Sequence, residues 1–160
     1  MRSRRRVRAA VLAVSLLVAF AAAATVVATV LLCAPDRRAV GATPADLGAR
    51  AVAIDSGSGA RLQGWFVTGR AHRGAVLLLH GVHANRLAML GRARFLAAAG
   101  YAVLLIDFRA HGESGGDAIT FGRLESRDAR AALAFLRDAA PGERVGVIGV
   151  SMGGAAALLA

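Results

Sequence analysis

The stretch that most restricts how this chain can fold is Val145-Gly-Val-Ile-Gly-Val-Ser-Met-Gly-Gly154. A short β-branched run enters Gly-x-Ser-x-Gly, and an Ala/Leu-rich segment, residues 155–160, leaves it. The pattern predicts a strand, a sharp turn and a helix, with Ser151 at the apex. Such a turn forces the serine into a strained backbone conformation that lifts its hydroxyl clear of the sheet. Gly149 and Gly153 are required at the flanks, because a Cβ at either position would strike the tightly folded strand and helix. The hydroxyl then stands at a helix N-terminus, where backbone N–H groups suit an oxyanion. These features make Ser151 a candidate nucleophile.

Two other Gly-rich turns between strand and helix do not fit. A dinucleotide fingerprint beginning at Gly149 needs glycine where Ser151 stands. A phosphate-binding loop needs lysine after its last glycine, and Ala155 follows Gly154. The formal charge of +10 is concentrated at one end, where Arg2, Arg4, Arg5, Arg6 and Arg8 supply five charges. The other arginines are scattered, with few aromatic residues beside them, so no nucleic-acid surface is expected. Cys33 is the single cysteine, which excludes an internal disulfide framework and a multi-cysteine metal site. Four histidines without cysteine or carboxylate at ligand spacing predict no metal site.

Residues 1–8 form a basic tail, and residues 9–34 are 26 consecutive residues without a charge. As a helix they span about 39 Å, against a hydrocarbon core of about 30 Å, whereas a cleaved signal needs an apolar core of only about 7–15 residues. Cleavage near Ala21–Ala24 would leave the apolar Val26–Leu32 as a new N-terminus, and Leu32 before Cys33 is bulky for lipid attachment. A retained single-pass anchor is therefore expected, ahead of a cleaved signal. The arginine excess before the span places the N-terminus in the cytoplasm and the remainder outside it.

Residues 35–49, rich in Pro, Gly and Ala, are expected to be a linker, and residues 50–160 the folded domain. Residues 51–54 and 62–67 predict two strands of a hairpin around Asp55-Ser-Gly-Ser-Gly59, with Trp65 and Phe66 in the core rather than at a substrate. Residues 75–79 and 101–106 are continuous apolar runs, expected as strands covered on both faces. Helical spacing runs over residues 86–99 through Leu87, Leu90, Phe95 and Leu96, and again through Leu124, Ala131, Ala132, Phe135 and Leu136. Strands alternating with helices predict an α/β fold, a mostly parallel sheet flanked by helices.

Three motifs, Leu77-Leu-Leu-His-Gly81, Leu105-Ile-Asp-Phe-Arg-Ala-His-Gly-Glu-Ser114 and Gly149-Val-Ser-Met-Gly-Gly154, occur in order and at family spacing. Together they resemble the α/β-hydrolase fold superfamily, closest to its serine esterase and serine aminopeptidase-like members, from about residue 50 onward. The resemblance implies that the Val82 and Met152 backbone N–H groups form the oxyanion hole, and that His80 and Gly81 brace the turn. It makes His111 a loop-shaping residue. Pairing His111 with Ser151, oriented by Asp107 or Glu113, contradicts the family order of serine, acid, histidine. His83 and Asn85 are expected at the pocket mouth, and His72 in solvent. The implied reaction on an ester or amide acyl substrate, small molecule or peptide, needs no cofactor.

All four histidines precede Ser151 and no carboxylate follows it. The expectation is therefore the N-terminal part of a membrane-anchored serine hydrolase, lacking its triad acid and histidine and inactive alone. The strand at residues 145–148 is expected to leave an open apolar edge, an aggregation hazard. The competing expectation is a non-catalytic, membrane-tethered binding or assembly protein.

Overall fold

The computed structural model describes residues 2–160, so the first residue of the expected 1–8 tail lies outside the described residues. The chain forms two compact units, Met1–Ala34 and Pro35–Ala160. The first is one helix, α1 (Arg2–Cys33), long and apolar enough to cross a membrane. The Thr25 and Thr29 hydroxyls donate to Ala21 O and Thr25 O at 2.9 Å, so both polar groups are satisfied within the helix.

The second unit runs β1 (Asp36–Arg37), β2 (Arg50–Asp55), β3 (Arg61–Val67), β4 (Ala75–Leu79), α2 (Leu90–Ala98), β5 (Ala102–Ile106), β6 (His111–Gly112), α3 (Glu125–Ala139), β7 (Val145–Gly149) and α4 (Met152–Leu158). The main sheet has the order β2-β3-β5-β4-β7. The β2–β3 hairpin is antiparallel and β3 meets β5 antiparallel, whereas β5, β4 and β7 are parallel. This is the expected α/β architecture.

Alternation along the strands divides the core in two. Leu77, Leu79, Leu104 and Ile106 pack with Ala129, Ala132 and Leu136 of α3 and with Met152 and Ala156 of α4. Val76, Leu78, Val103 and Leu105 face the other way, onto Met89 and Ala93. Continuous apolar runs were needed in β4 and β5 because both faces of these parallel strands are covered. Trp65 and Phe66, adjacent in β3, are both buried and belong to opposite layers.

Two local features differ from the sequence reading. Residues 35–49 are not a loose linker but a strap docked on the domain. Asp36 N donates to Ala110 O (2.7 Å) and Arg38 N to Gly112 O (2.9 Å), which sets β1 parallel to β6. Val40 N and Gly41 N both donate to Glu113 Oε1, and Leu47 is buried against the α2 layer. Residues 86–99 do not form one helix: Arg86–Met89 is a 3₁₀ turn leading into α2. The resulting change of twist rotates the expected stripe, so Met89 and Ala93 face the sheet while Phe95 is 74% exposed. The open edge expected at residues 145–148 is present: β7 bonds only to β4 among the described residues, with Val147 and Ile148 partly exposed.

Leu78→Ala removes a side chain buried on all sides and lowers stability by about 2–5 kcal/mol. Phe95→Ala changes it by no more than about 0.5 kcal/mol. Denaturant titration followed by fluorescence of the single tryptophan, Trp65, measures both.

Candidate active site

The parallel strands β4, β5 and β7 end at one edge of the sheet, where ligands of open α/β sheets bind. Each continues into a stretch singled out above: His80-Gly81-Val82 after β4, Asp107 after β5, and Val150-Ser151 after β7. Leu79 pairs with both Ile106 and Gly149, which holds the three exits in register.

Ser151 sits at the corner between β7 and α4 with φ +50° and ψ −117°, a conformation that L-residues rarely adopt. Val150 N donates to Leu79 O and Gly153 N to Val150 O, so the corner is held from both sides. A Cβ on Gly149 would lie 2.4 Å from Gly153 C and O, and one on Gly153 would lie 2.6 Å from Leu79 O and His80 O. Both contacts are with backbone and cannot be relieved by a rotamer change. The corner therefore needs glycine at these two positions.

Gly81 faces this corner: the position of a Cβ there is 3.5 Å from Ser151 Cβ. Gly81, Val82, Val150 and Ser151 line one cleft of about 300 Å³, together with Ala84, Ala88, Met89 and Arg92. Ser151 is exposed and Met152 is buried. Among the described residues, neither the Val82 N–H nor the Met152 N–H donates to a protein acceptor. The cleft thus combines an accessible hydroxyl, apolar walls and two uncommitted backbone donors beside it.

His80 is fully buried and its two ring nitrogens are assigned by their partners. Nε2 accepts from Phe108 N (3.0 Å), so Nδ1 carries the proton and donates to Gly81 O (2.7 Å). Burial pushes its pKa down to about 4. His111 repeats the arrangement, accepting from His83 N at Nε2 (3.2 Å) and donating from Nδ1 to Arg109 O (2.8 Å), and burial lowers its pKa too. Both rings are used as neutral backbone clamps. No histidine among the described residues hydrogen-bonds Ser151.

His83 and Asn85 do not line the cleft. The Asn85 side chain caps the 3₁₀ turn, accepting from Leu87 N at 3.0 Å. His83 adopts positive φ, with its backbone N–H spent on His111 and its ring 3.8 Å from Asp36. His72 is exposed, on a turn remote from the cleft.

Sequence reasoning missed Arg86. Its side chain is buried over the face of Trp65, 4.5 Å from the ring centroid, and pairs with both Asp107 and Glu113. Asp107 also accepts from Arg86 N (2.7 Å) and Glu113 N (3.0 Å). Burial holds the Asp107 carboxyl above its ordinary value, and these donors offset only part of that rise. Glu113 is held low by the Val40 amide and by Arg86. The available signal was an aspartate directly after a buried strand, which demands a counter-charge.

The unfolded chain binds a proton at position 80 near the ordinary value of 6.5, whereas folded His80 resists until about 4. Stability from the neutral ring is complete above pH 6.5 and is lost as pH falls from 6.5 to 4, by about 3 kcal/mol. Denaturant titrations across this window are expected to show a shallower pH slope in His80→Gln than in wild type, with the remainder due partly to His111.

Comparison with known proteins gives the arrangement its context. The family model described as serine aminopeptidase, S33, matches residues 70–160, more than half of the chain. An esterase of Pyrococcus furiosus, Pf2001, superposes with a TM-score of 0.70 at 37% identity, covering 78% of this chain and 51% of its own. An α/β hydrolase of Novosphingobium aromaticivorans superposes with a TM-score of 0.57 at 28% identity, covering 69% of this chain and 38% of its own. The uncharacterized protein YqkD of Bacillus subtilis is 31% identical over 110 residues, 68% of this chain and 36% of its own. The chain thus spans about half the length of the esterase and about a third of the Bacillus protein. With a parallel sheet, a serine corner and a His-Gly turn at one edge, the chain belongs to the serine aminopeptidase S33 family of the α/β-hydrolase superfamily.

Proposed function

We propose that this protein is a serine hydrolase that cleaves ester or amide acyl bonds with Ser151 as nucleophile. The observation that carries the reading is the corner itself: a strained, exposed serine sharing a cleft with Val82 and followed by Met152, with both amides uncommitted. Ser151 Oγ attacks the acyl carbon and passes its proton to a general base. The carbonyl oxygen, now negative, accepts from the Val82 and Met152 N–H groups, neither of which is committed to another acceptor among the described residues. The alcohol or amine then leaves with a proton. Water, activated by the same base, hydrolyses the acyl-serine and restores the hydroxyl.

His80 and His111 are excluded as that base because each Nε2 already accepts a backbone N–H and burial lowers the basicity of both rings. The base and its orienting acid are assigned to segments of the fold that relatives carry outside the matched region. The helix Arg2–Cys33 is proposed as a single-pass anchor with a cytoplasmic N-terminus, on its length, its apolar composition and the arginine cluster before it. A second reading, a tethered non-catalytic binding or assembly protein, is favoured by the lack of a histidine bonded to Ser151 among the described residues.

Incubation of the full-length protein with a fluorophosphonate probe separates the two. The hydrolase reading predicts stoichiometric labelling that Ser151→Ala abolishes. Labelling that is absent, or equal in both proteins, contradicts it.

A further inference from the structure

The cleft beside Ser151 contains one charged lining residue, Arg92. Beside Ser151, the remaining walls are glycine, alanine, valine and methionine, and no carboxylate among the described residues lines it. Other arginines around this part of the domain are committed. Arg86 pairs with Asp107 and Glu113, Arg94 pairs with Asp46, and Arg109 donates to Ala118 O and Ser58 O. Arg92 has no hydrogen-bond acceptor and no ion-pair partner among the described residues, although Arg94, two positions along the same helix, has both.

A long side chain in this position lays its methylenes along an apolar wall and keeps its head in water. Its planar guanidinium offers paired donors that match a carboxylate in two-pronged fashion. An ester with an anionic group on the acyl chain would bury its methylenes between the apolar walls and bring its charge to the single cation of the cleft. A neutral ester of equal length would gain only the apolar contact. Without the five N-terminal arginines, residues 35–160 keep a net charge of +5, which favours any anion at long range but does not distinguish positions within the cleft.

We infer that the cleft selects acyl substrates bearing a second, anionic group, of which a dicarboxylic half-ester is the simplest, and that Arg92 is the residue that sets this preference. The inference rests on Ser151 acting as the nucleophile.

The test compares kcat/KM of the full-length protein for mono-4-nitrophenyl glutarate and for 4-nitrophenyl pentanoate, which match in chain length and differ in charge. The glutarate-to-pentanoate ratio is expected to fall about tenfold in Arg92→Gln, to fall further in Arg92→Glu and to be largely kept in Arg92→Lys. Arg94→Gln, which alters the same helix by the same charge, keeps the wild-type ratio. Equal ratios in wild type and Arg92→Gln overturn the inference, as does an equal fall in Arg94→Gln, which would mark a bulk charge effect. Turnover of pentanoate with an unchanged ratio removes Arg92 and leaves the hydrolase reading intact. No turnover of either ester, with no fluorophosphonate labelling of Ser151, removes the hydrolase reading and this inference with it.

Discussion

A buried carboxylate at the end of β5 must be compensated, and the way Asp107 is compensated organises the loops around the cleft. Withdrawing an ionised carboxyl from water costs several kcal/mol unless donors replace the solvent. Here the donors are the Arg86 guanidinium, the Arg86 amide and the Glu113 amide. Two of them belong to the turn after β4, four residues beyond Val82, and the third to the turn after β5. The same guanidinium reaches Glu113, whose carboxylate receives the Val40 and Gly41 amides of the strap. One network thus ties the turn after β4 to the segment after β5 and to the strap, the latter two joined also by the β1–β6 pairing. Trp65 closes it from beneath.

The histidines act by the same logic. A turn that leaves the sheet exposes backbone N–H groups, and a buried one needs an acceptor. His80 takes the Phe108 amide and returns its own proton to Gly81 O, so one ring spans the exits of β4 and β5. His111 does the same for His83 and Arg109. Their neutrality follows from burial and is necessary for the role, since a protonated ring has no acceptor to offer. With these turns held, Val82 N–H and Met152 N–H stay uncommitted beside Ser151 without collapsing onto another carbonyl.

Features governed by local sterics or by burial on both faces were legible in the sequence. Leu77–Leu79 and Leu104–Ile106 announced covered strands because polar residues are intolerable on either side. Gly149 and Gly153 announced the corner because no other residue fits there. The strap was not legible, since β1 docks through backbone groups of Asp36 and Arg38 that leave no side-chain pattern. Arg86 was hidden for another reason: its partners lie 21 and 27 positions away and only the fold brings them close. Phe95 misled because a helical stripe was extended through a 3₁₀ turn that shifts its phase. For the site, the serine and its glycines could be read directly, whereas the occupied state of His80 and His111 depends on amides no motif records.

The proposed chemistry requires Ser151 to face a carbonyl whose oxygen meets two backbone amides. It is tested most directly by determining the structure of the protein after reaction with a small phosphonate ester. Phosphorus is expected to be bonded to Ser151 Oγ, with a phosphonyl oxygen within about 2.7–3.1 Å of both the Val82 and the Met152 nitrogen. An adduct whose phosphonyl oxygen is turned to solvent, with either amide bonded elsewhere, would contradict it.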